Sequence, residues 1–427
     1  MEKSFHGFLA VVFLFSSCAS ISVNVSPPGK YIQNEFTGIV HAGETNTAQE
    51  FEYLEYLGAG ILLHTFYWDR IEPQQGEWNF HDYDNMVNNA NNAGMLTVGV
   101  LAYDNRWIHD DGKMHRYIPQ ERLPDFLEYV RKTTDHFRGR VYAWCIWNEP
   151  NFGFWRGTEK EFINLFNQTA AVIKETDSDV ILLGGAFNRN VTGLNKKFIN
   201  SLFLSEGIKY IDAIAFHPYE LNYRRSLRIY KKFSDIAEKY GYKDKIWVTE
   251  IGFPTGGWYP TKVKEKELPG VVIKTYALLA VHGAGKVLWY QLFDPVNQSG
   301  RNSEHFFGLA RSSQDYTSKG AEAFRLCSLF MSNSMCYAQV PGKDYAPLQT
   351  PKSILSFWFK KAEGSALILW NEGSGTKTVN LDLPGFNHLM YDITSGNAVS
   401  VPSEINVSVG REPVFISWQD NNNFFKQ

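Results

Sequence analysis

The sequence predicts an α/β fold: a (β/α)8, or TIM, barrel followed by a small C-terminal β-sandwich domain. Two observations carry this. From about residue 36, short apolar strands alternate with longer amphipathic stretches, the pattern of a parallel sheet covered by helices. After residue 335 the helical period stops, and strands alternate with turns such as Glu372-Gly373-Ser374-Gly375 and Ser395-Gly396-Asn397. At 427 residues and 44% hydrophobic, the chain is long enough for one large core and a smaller one.

Taken in order, the barrel strands are expected at Phe36–His41, Gly60–Phe66, Leu96–Ala102, Val141–Trp147, Val180–Gly184, Ile211–His217, Ile246–Glu250 and Lys286–Leu292. Each is a run of apolar, often β-branched residues. Between them, apolar residues recur every three or four positions in Thr47–Leu57, Glu121–Phe137, Thr158–Glu175, Leu227–Tyr240 and Val272–Val281, and the last helix is Lys319–Met331. An open doubly wound sheet is the competing arrangement. It would call for a glycine-rich phosphate turn after the first strand, and Gly38-Ile39-Val40-His41-Ala42-Gly43 is a poor one. The C-terminal strands are Ile354–Lys360, Ala366–Asn371, Thr378–Leu383, Leu389–Asp392 and Pro413–Trp418, with Val23–Gln33 as a further edge strand. The domain boundaries read as a signal peptide over 1–18, the barrel over 19–333 and the β-domain over 334–427.

Composition excludes several partners. A net charge of −3, with scattered lysines and arginines, gives no reason to expect nucleic acid. Lys3, the apolar run Phe8–Phe15 and the small residues Ser16-Ser17-Cys18-Ala19 form an export signal too short to span a bilayer. Leu14-Phe15-Ser16-Ser17-Cys18 also resembles a bacterial lipoprotein box, in which Cys18 would carry a lipid anchor. Plain secretion with a neighbouring cut competes with it, so the protein is expected to be secreted or held at the cell surface. Four cysteines are no disulfide scaffold: Cys145 falls in a strand as a buried thiol, while Cys327 and Cys336 leave both pairing and free thiols open. Cysteine and histidine spacings suggest no metal site. Asn24, Asn167, Asn190, Asn297 and Asn406 begin glycosylation sequons.

The chemistry lies in two glutamates. Trp147-Asn148-Glu149-Pro150 closes the fourth strand and Val248-Thr249-Glu250-Ile251-Gly252 closes the seventh. A barrel gathers its strand ends at one mouth, so both carboxyls would face each other there. Cleavage of a glycosidic bond needs one carboxylic acid to protonate the leaving oxygen and one carboxylate across the anomeric carbon. Either glutamate alone could cap a helix or sit in a loop; the two together favour the catalytic reading.

These motifs, with the barrel around them, resemble clan A of the retaining glycoside hydrolases. Trp68-Asp69-Arg70-Ile71-Glu72-Pro73-Gln74-Gln75-Gly76, with Trp78-Asn79-Phe80 and Tyr83-Asp84, is similar to the β-xylosidase and α-iduronidase family, family 39, and to related cellulase-like barrels. The resemblance implies Glu149 as acid/base, Glu250 as nucleophile and Asn148 as partner of the sugar 2-hydroxyl. It further implies that His217 and Tyr219, in Phe216-His217-Pro218-Tyr219, touch the nucleophile, and that Trp289 stacks on sugar. Many clan members also carry an arginine at strand two. Here Ile61-Leu62-Leu63-His64-Thr65 has none, and His64 is expected to fill its place. Glu72 reads as a helix or loop anchor. The activity implied is hydrolysis of β-linked O-glycosides in a poly- or oligosaccharide by double displacement, with no metal or organic cofactor. A non-catalytic surface glycan-binding protein and a transglycosylase on the same barrel are the alternatives.

Overall fold

The computed structural model describes residues 21–22, 30–33, 35–40, 47–258, 262–340, 343–344, 350–362 and 364–420. Cys18, the rest of the expected leader, His41 and the first part of Val23–Gln33 lie outside them.

Eight parallel strands close a barrel: β1 Thr37–Val40, β2 Ile61–Tyr67, β3 Leu96–Ala102, β4 Ala143–Ile146, β5 Ile181–Asn188, β6 Ala213–His217, β7 Ile246–Ile251 and β8 Lys286–Tyr290. Each pairs with the next in parallel, and β8 returns to β1 in the register Val287 to Thr37 through Tyr290 to Val40. Eight helices follow them: α1 Ala48–Tyr56, α2 His81–Asn92, α3 Leu123–His136, α4 Glu159–Thr176, α5 Gly193–Phe203, α6 Tyr223–Glu238, α7 Leu268–Val281 and α8 Ala321–Met331. The expected strands and helices are present. The largest change is β5, which runs on to Asn188, and the turn carrying Glu149 begins at Trp147 instead of inside β4.

Local chemistry explains the helices. Thr158 caps α4 in a reciprocal box with Glu161, satisfying backbone donors that the first turn leaves open. Helix α3 buries Phe126, Tyr129, Val130 and Thr133, one face at helical spacing. Helix α7 buries every residue except Val271, because it lies between neighbouring helices and the strand Ser334–Val340 of the β-domain. Beyond the barrel rim, a long connection returns from β8 to α8. Its anchor is the buried pair Lys319 Nζ to Asp294 Oδ2 at 2.6 Å, with Asp294 also accepting from the Gly308 N–H.

The C-terminal chain forms two antiparallel sheets. In the larger, the main strands run Ser334–Val340, Ile354–Lys360, Ser365–Asn371, Val414–Gln419 and Phe386–Tyr391 in spatial order. The smaller joins Lys377–Asp382 to Glu404–Val409 and to Ile21–Ser22. Strand alternation splits the larger sheet cleanly. Phe357, Phe359, Ile368, Trp370 and Phe415 share the barrel's core, whereas Trp358, Leu367, Leu369, Ile416 and Trp418 pack with Val379, Leu381, Val407 and Val409 of the smaller sheet. Lys30–Ile32 adds an edge to Ser334–Val340, as expected for that stretch. Cys145, Cys327 and Cys336 are buried and free.

Because one face of the larger sheet completes the barrel's core, a chain ending near residue 333 is expected to lose most of its soluble yield. Soluble expression and thermal unfolding measure this. A truncated barrel as soluble and as stable as the full chain would show the two parts to be independent.

Candidate active site

Glu149 follows β4 in a turn of unusual backbone. Trp147 and Glu149 have φ of 63° and 42°, a left-handed region that costs a residue with a side chain about 1–3 kcal/mol. The surroundings hold it there: Trp147 N–H donates to the Leu101 carbonyl at 3.1 Å, Glu149 N–H to that of Ala186 at 3.0 Å, and the Trp147 indole to Phe154 at 2.9 Å. On the facing side, Gly252 follows β7, and a Cβ there would lie 2.2 Å from the Tyr290 carbonyl oxygen. Only glycine lets the ends of β7 and β8 approach so closely.

Between the two glutamates stands His217, at the end of β6. Its Nδ1 is 2.9 Å from Glu149 Oε1 and 3.5 Å from Glu250 Oε2, and its Nε2 is 3.0 Å from the Thr249 hydroxyl. Tyr219 donates its hydroxyl to Glu250 Oε2 at 3.1 Å. One polar atom from each of Glu149, His217 and Glu250 lies within 4.8 Å of the others. Among the described residues no other group of histidine, cysteine and carboxylate side chains meets that spacing, and these three could also ligate a divalent cation.

Burial and the neighbouring charges set the protonation of this cluster. Burial pushes the Glu250 carboxyl up to about 7, with the Glu149 charge adding to the rise and His217 and Tyr219 opposing it. His217 is buried, which by itself would lower its pKa, but the two carboxylates outweigh burial and raise it. Burial also lifts Tyr219 well above the ordinary phenol range. Two buried carboxyls this close resist double ionisation, so the pair retains a proton near neutrality.

Asn148 points its amide Nδ2 at the Tyr103 hydroxyl, 3.1 Å away. Tyr103, just past β3, is clamped by the Arg116 guanidinium 3.9 Å from its ring centroid and by Phe154 stacked alongside. Glu72 is the anchor expected of it, accepting from the Trp68 indole and the Gly76 N–H, both at 2.7 Å.

Two expected site residues face elsewhere. Trp289 is completely buried; its indole donates to the Phe307 carbonyl at 3.2 Å and its ring lies near Phe253 and Tyr276 of α7. Strand alternation turns the next residue, Tyr290, the other way, so that it meets Tyr219 and hydrogen-bonds Glu304. His64 shares its face of β2 with Phe66, and both rings lie against Tyr83 of α2, so it does not occupy the place expected of it beside Glu250. Thr249, Tyr103, Tyr290 and Glu304 escaped the sequence reading. Position at a strand end signals the first three; Glu304 sits in a long connection with no local signature.

No family model matches the chain. Among solved structures, a family 39 glycoside hydrolase of Bacteroides cellulosilyticus superposes with a TM-score of 0.73 at 18% identity, covering 90% of this chain and 81% of that one. A family 39 β-xylosidase of Caulobacter crescentus gives 0.68 at 13%, covering 94% and 99%. In sequence, endo-1,4-beta-xylanase B of Thermotoga neapolitana is 26% identical over 209 residues, 44% of this chain and 57% of that protein. Endo-1,4-beta-xylanase A of Phanerodontia chrysosporium is 33% identical over 95 residues, 21% of this chain and 22% of that protein. The chain thus spans less than two thirds of the length of either relative. In fold it is similar to the solved family 39 glycoside hydrolases, a closed TIM barrel with antiparallel sheets after it.

Proposed function

We propose that the protein is a retaining glycosidase acting on β-linked polysaccharide, with Glu250 as nucleophile and Glu149 as acid/base. One observation carries the reading: the carboxyl oxygens of Glu149 and Glu250 approach within 4.8 Å across His217. Retaining enzymes hold their carboxyls about 5–5.5 Å apart, whereas inverting ones leave about 6.5–9.5 Å for a water. Glu250 attacks the anomeric carbon as Glu149 gives its proton to the glycosidic oxygen, and the bond to the leaving sugar breaks. Water, deprotonated by Glu149, then attacks the glycosyl ester of Glu250, which leaves as carboxylate. His217 hydrogen-bonds one carboxylate and lies beside the other, so negative charge stays solvated as it moves between them. Tyr219 orients Glu250, and Asn148, held by Tyr103, is set for the sugar 2-hydroxyl. The xylanase relatives support xylan as the first substrate to try.

The wild-type protein is expected to release reducing ends from a β-linked polysaccharide with the first product retaining its configuration. Inverted product, or chains longer than the substrate as the main product, would reassign the chemistry to inversion or to transfer. Glu149→Ala is expected to lose about a thousandfold in kcat on ordinary substrates. It should keep activity on aryl glycosides with acidic leaving groups, and azide should restore turnover. Glu250→Ala should lose activity whatever the leaving group.

The cluster also fixes the pH behaviour. As the pair loses its last proton, kcat/KM is expected to fall above pH about 7. The step near 7 belongs to the coupled carboxyl pair, against an ordinary carboxylate value of 4.5, so folding stability declines as pH rises between them and the full cost persists above. Glu250→Gln removes that buried charge. Thermal unfolding should show it more stable than wild type at pH 8 and nearly equal at pH 4.5; the opposite order would contradict the assignment.

Export, with acylation of Cys18, is part of the same proposal and rests on Phe8–Phe15 and the small residues after it. Cys18→Ser should release the protein from the detergent phase, and an unmodified Cys18 in the native protein would refute anchoring.

A further inference from the structure

Two aromatic side chains on the connections at the mouth are largely exposed. Trp258 is 71% exposed and Phe152 is 55% exposed, whereas Trp68, Trp144, Trp147, Trp289 and Trp370 are fully buried. Both lie on the connections that follow the strands of the two carboxylates. Phe152 is within one turn of Glu149, its N–H donating to the Glu149 carbonyl at 2.9 Å. Trp258 closes the segment after β7. That segment is seated on the rim by the Thr255 N–H, which donates to the Phe306 carbonyl at 2.9 Å, and by Gly257, where a Cβ would lie 2.4 Å from the Ser303 Cα. It therefore sits beside Glu304, whose carboxyl reaches Tyr290 and whose charge acts on Glu250.

An exposed indole forgoes the burial that folding otherwise favours, and exposed apolar surface beside a polar site marks a binding surface. An aromatic face also suits the C–H face of a pyranose while its neighbours meet the hydroxyls. Resting on the glycosidase reading above, we propose that Phe152 and Trp258 are stacking platforms for sugars beyond the two that the cleaved bond joins, one on each side of it. Phe152 follows Glu149, which protonates the leaving oxygen, and is assigned to the leaving side; Trp258 follows Glu250, which bonds the anomeric carbon, and is assigned to the retained side. The ligand is a chain of neutral β-linked pyranoses, because the Glu304 carboxylate disfavours an anionic sugar at the Trp258 platform. A chain held on both sides is cut internally.

The test uses the full chain and two substrates: the aryl β-glycoside that the wild type turns over fastest, and the β-1,4-linked hexasaccharide of the same sugar. Trp258→Ala and Phe152→Ala are each expected to lose about tenfold in kcat/KM on the hexasaccharide. Both should stay within about twofold of wild type on the aryl glycoside, with unchanged Tm, and Trp258→Phe should recover most of the loss. Wild-type digestion of the polymer should yield fragments of several lengths. Hexasaccharide kinetics unchanged in both variants, equal losses on both substrates, or release of single sugars only would overturn the platforms while leaving the carboxylate chemistry standing. A wild type inactive on every β-glycoside would overturn the underlying reading as well.

Discussion

Closure of the parallel sheet, β8 against β1, is the constraint on which the rest of the structure depends. An open sheet of the same strands would leave unpaired edges and would hold β4, β6 and β7 in a row. Closing it turns their C-terminal ends toward a common mouth, and this is why Glu149, His217 and Glu250 come within 4.8 Å of one another. At the opposite end, Lys286 lies over the rings of Trp247 and Tyr142, at 5.3 and 5.8 Å, with Glu35 3.8 Å away. These residues fill the floor, so the barrel is a packed body with chemistry at one end.

Within the mouth, the cluster is maintained against its own electrostatics. Burial and the Glu149 charge raise the cost of ionising Glu250, and His217 offsets part of it by lying between the two carboxyls. The backbone bears a further cost at Trp147 and Glu149. Hydrogen bonds from the neighbouring strands β3 and β5 keep that turn in place. Stability is thus spent where the chemistry sits and recovered in the aromatic layer behind it, where Phe66, Trp144 and Phe137 pack edge to face.

The β-domain takes part in this stability. Its larger sheet presents one face to α7 and α8 and the other to the smaller sheet, and Phe330 of α8 meets Phe415 and Tyr391 across the junction. Helix α7, which follows the strand carrying Glu250, is consequently buried along almost its whole length.

The sequence by itself determined the order of strands and helices, the two catalytic candidates and their partners on β6. These are signalled by runs of adjacent residues, such as Trp147-Asn148-Glu149-Pro150 and Phe216-His217-Pro218-Tyr219, whose local pattern survives folding. It did not determine which way single side chains face. Trp289 and Tyr290 are neighbours of equal aromatic character, and only the register of β8 sends the first to the helices and the second to the mouth. His64 goes to the helical layer for the same reason. The long connection after β8 has no period to read, so Glu304 was invisible until the Asp294–Lys319 pair and the packing of Gly257 on Ser303 fixed its path. Local pattern decides what an element is, whereas alternation, register and loop packing, which depend on partners distant in sequence, decide what it faces.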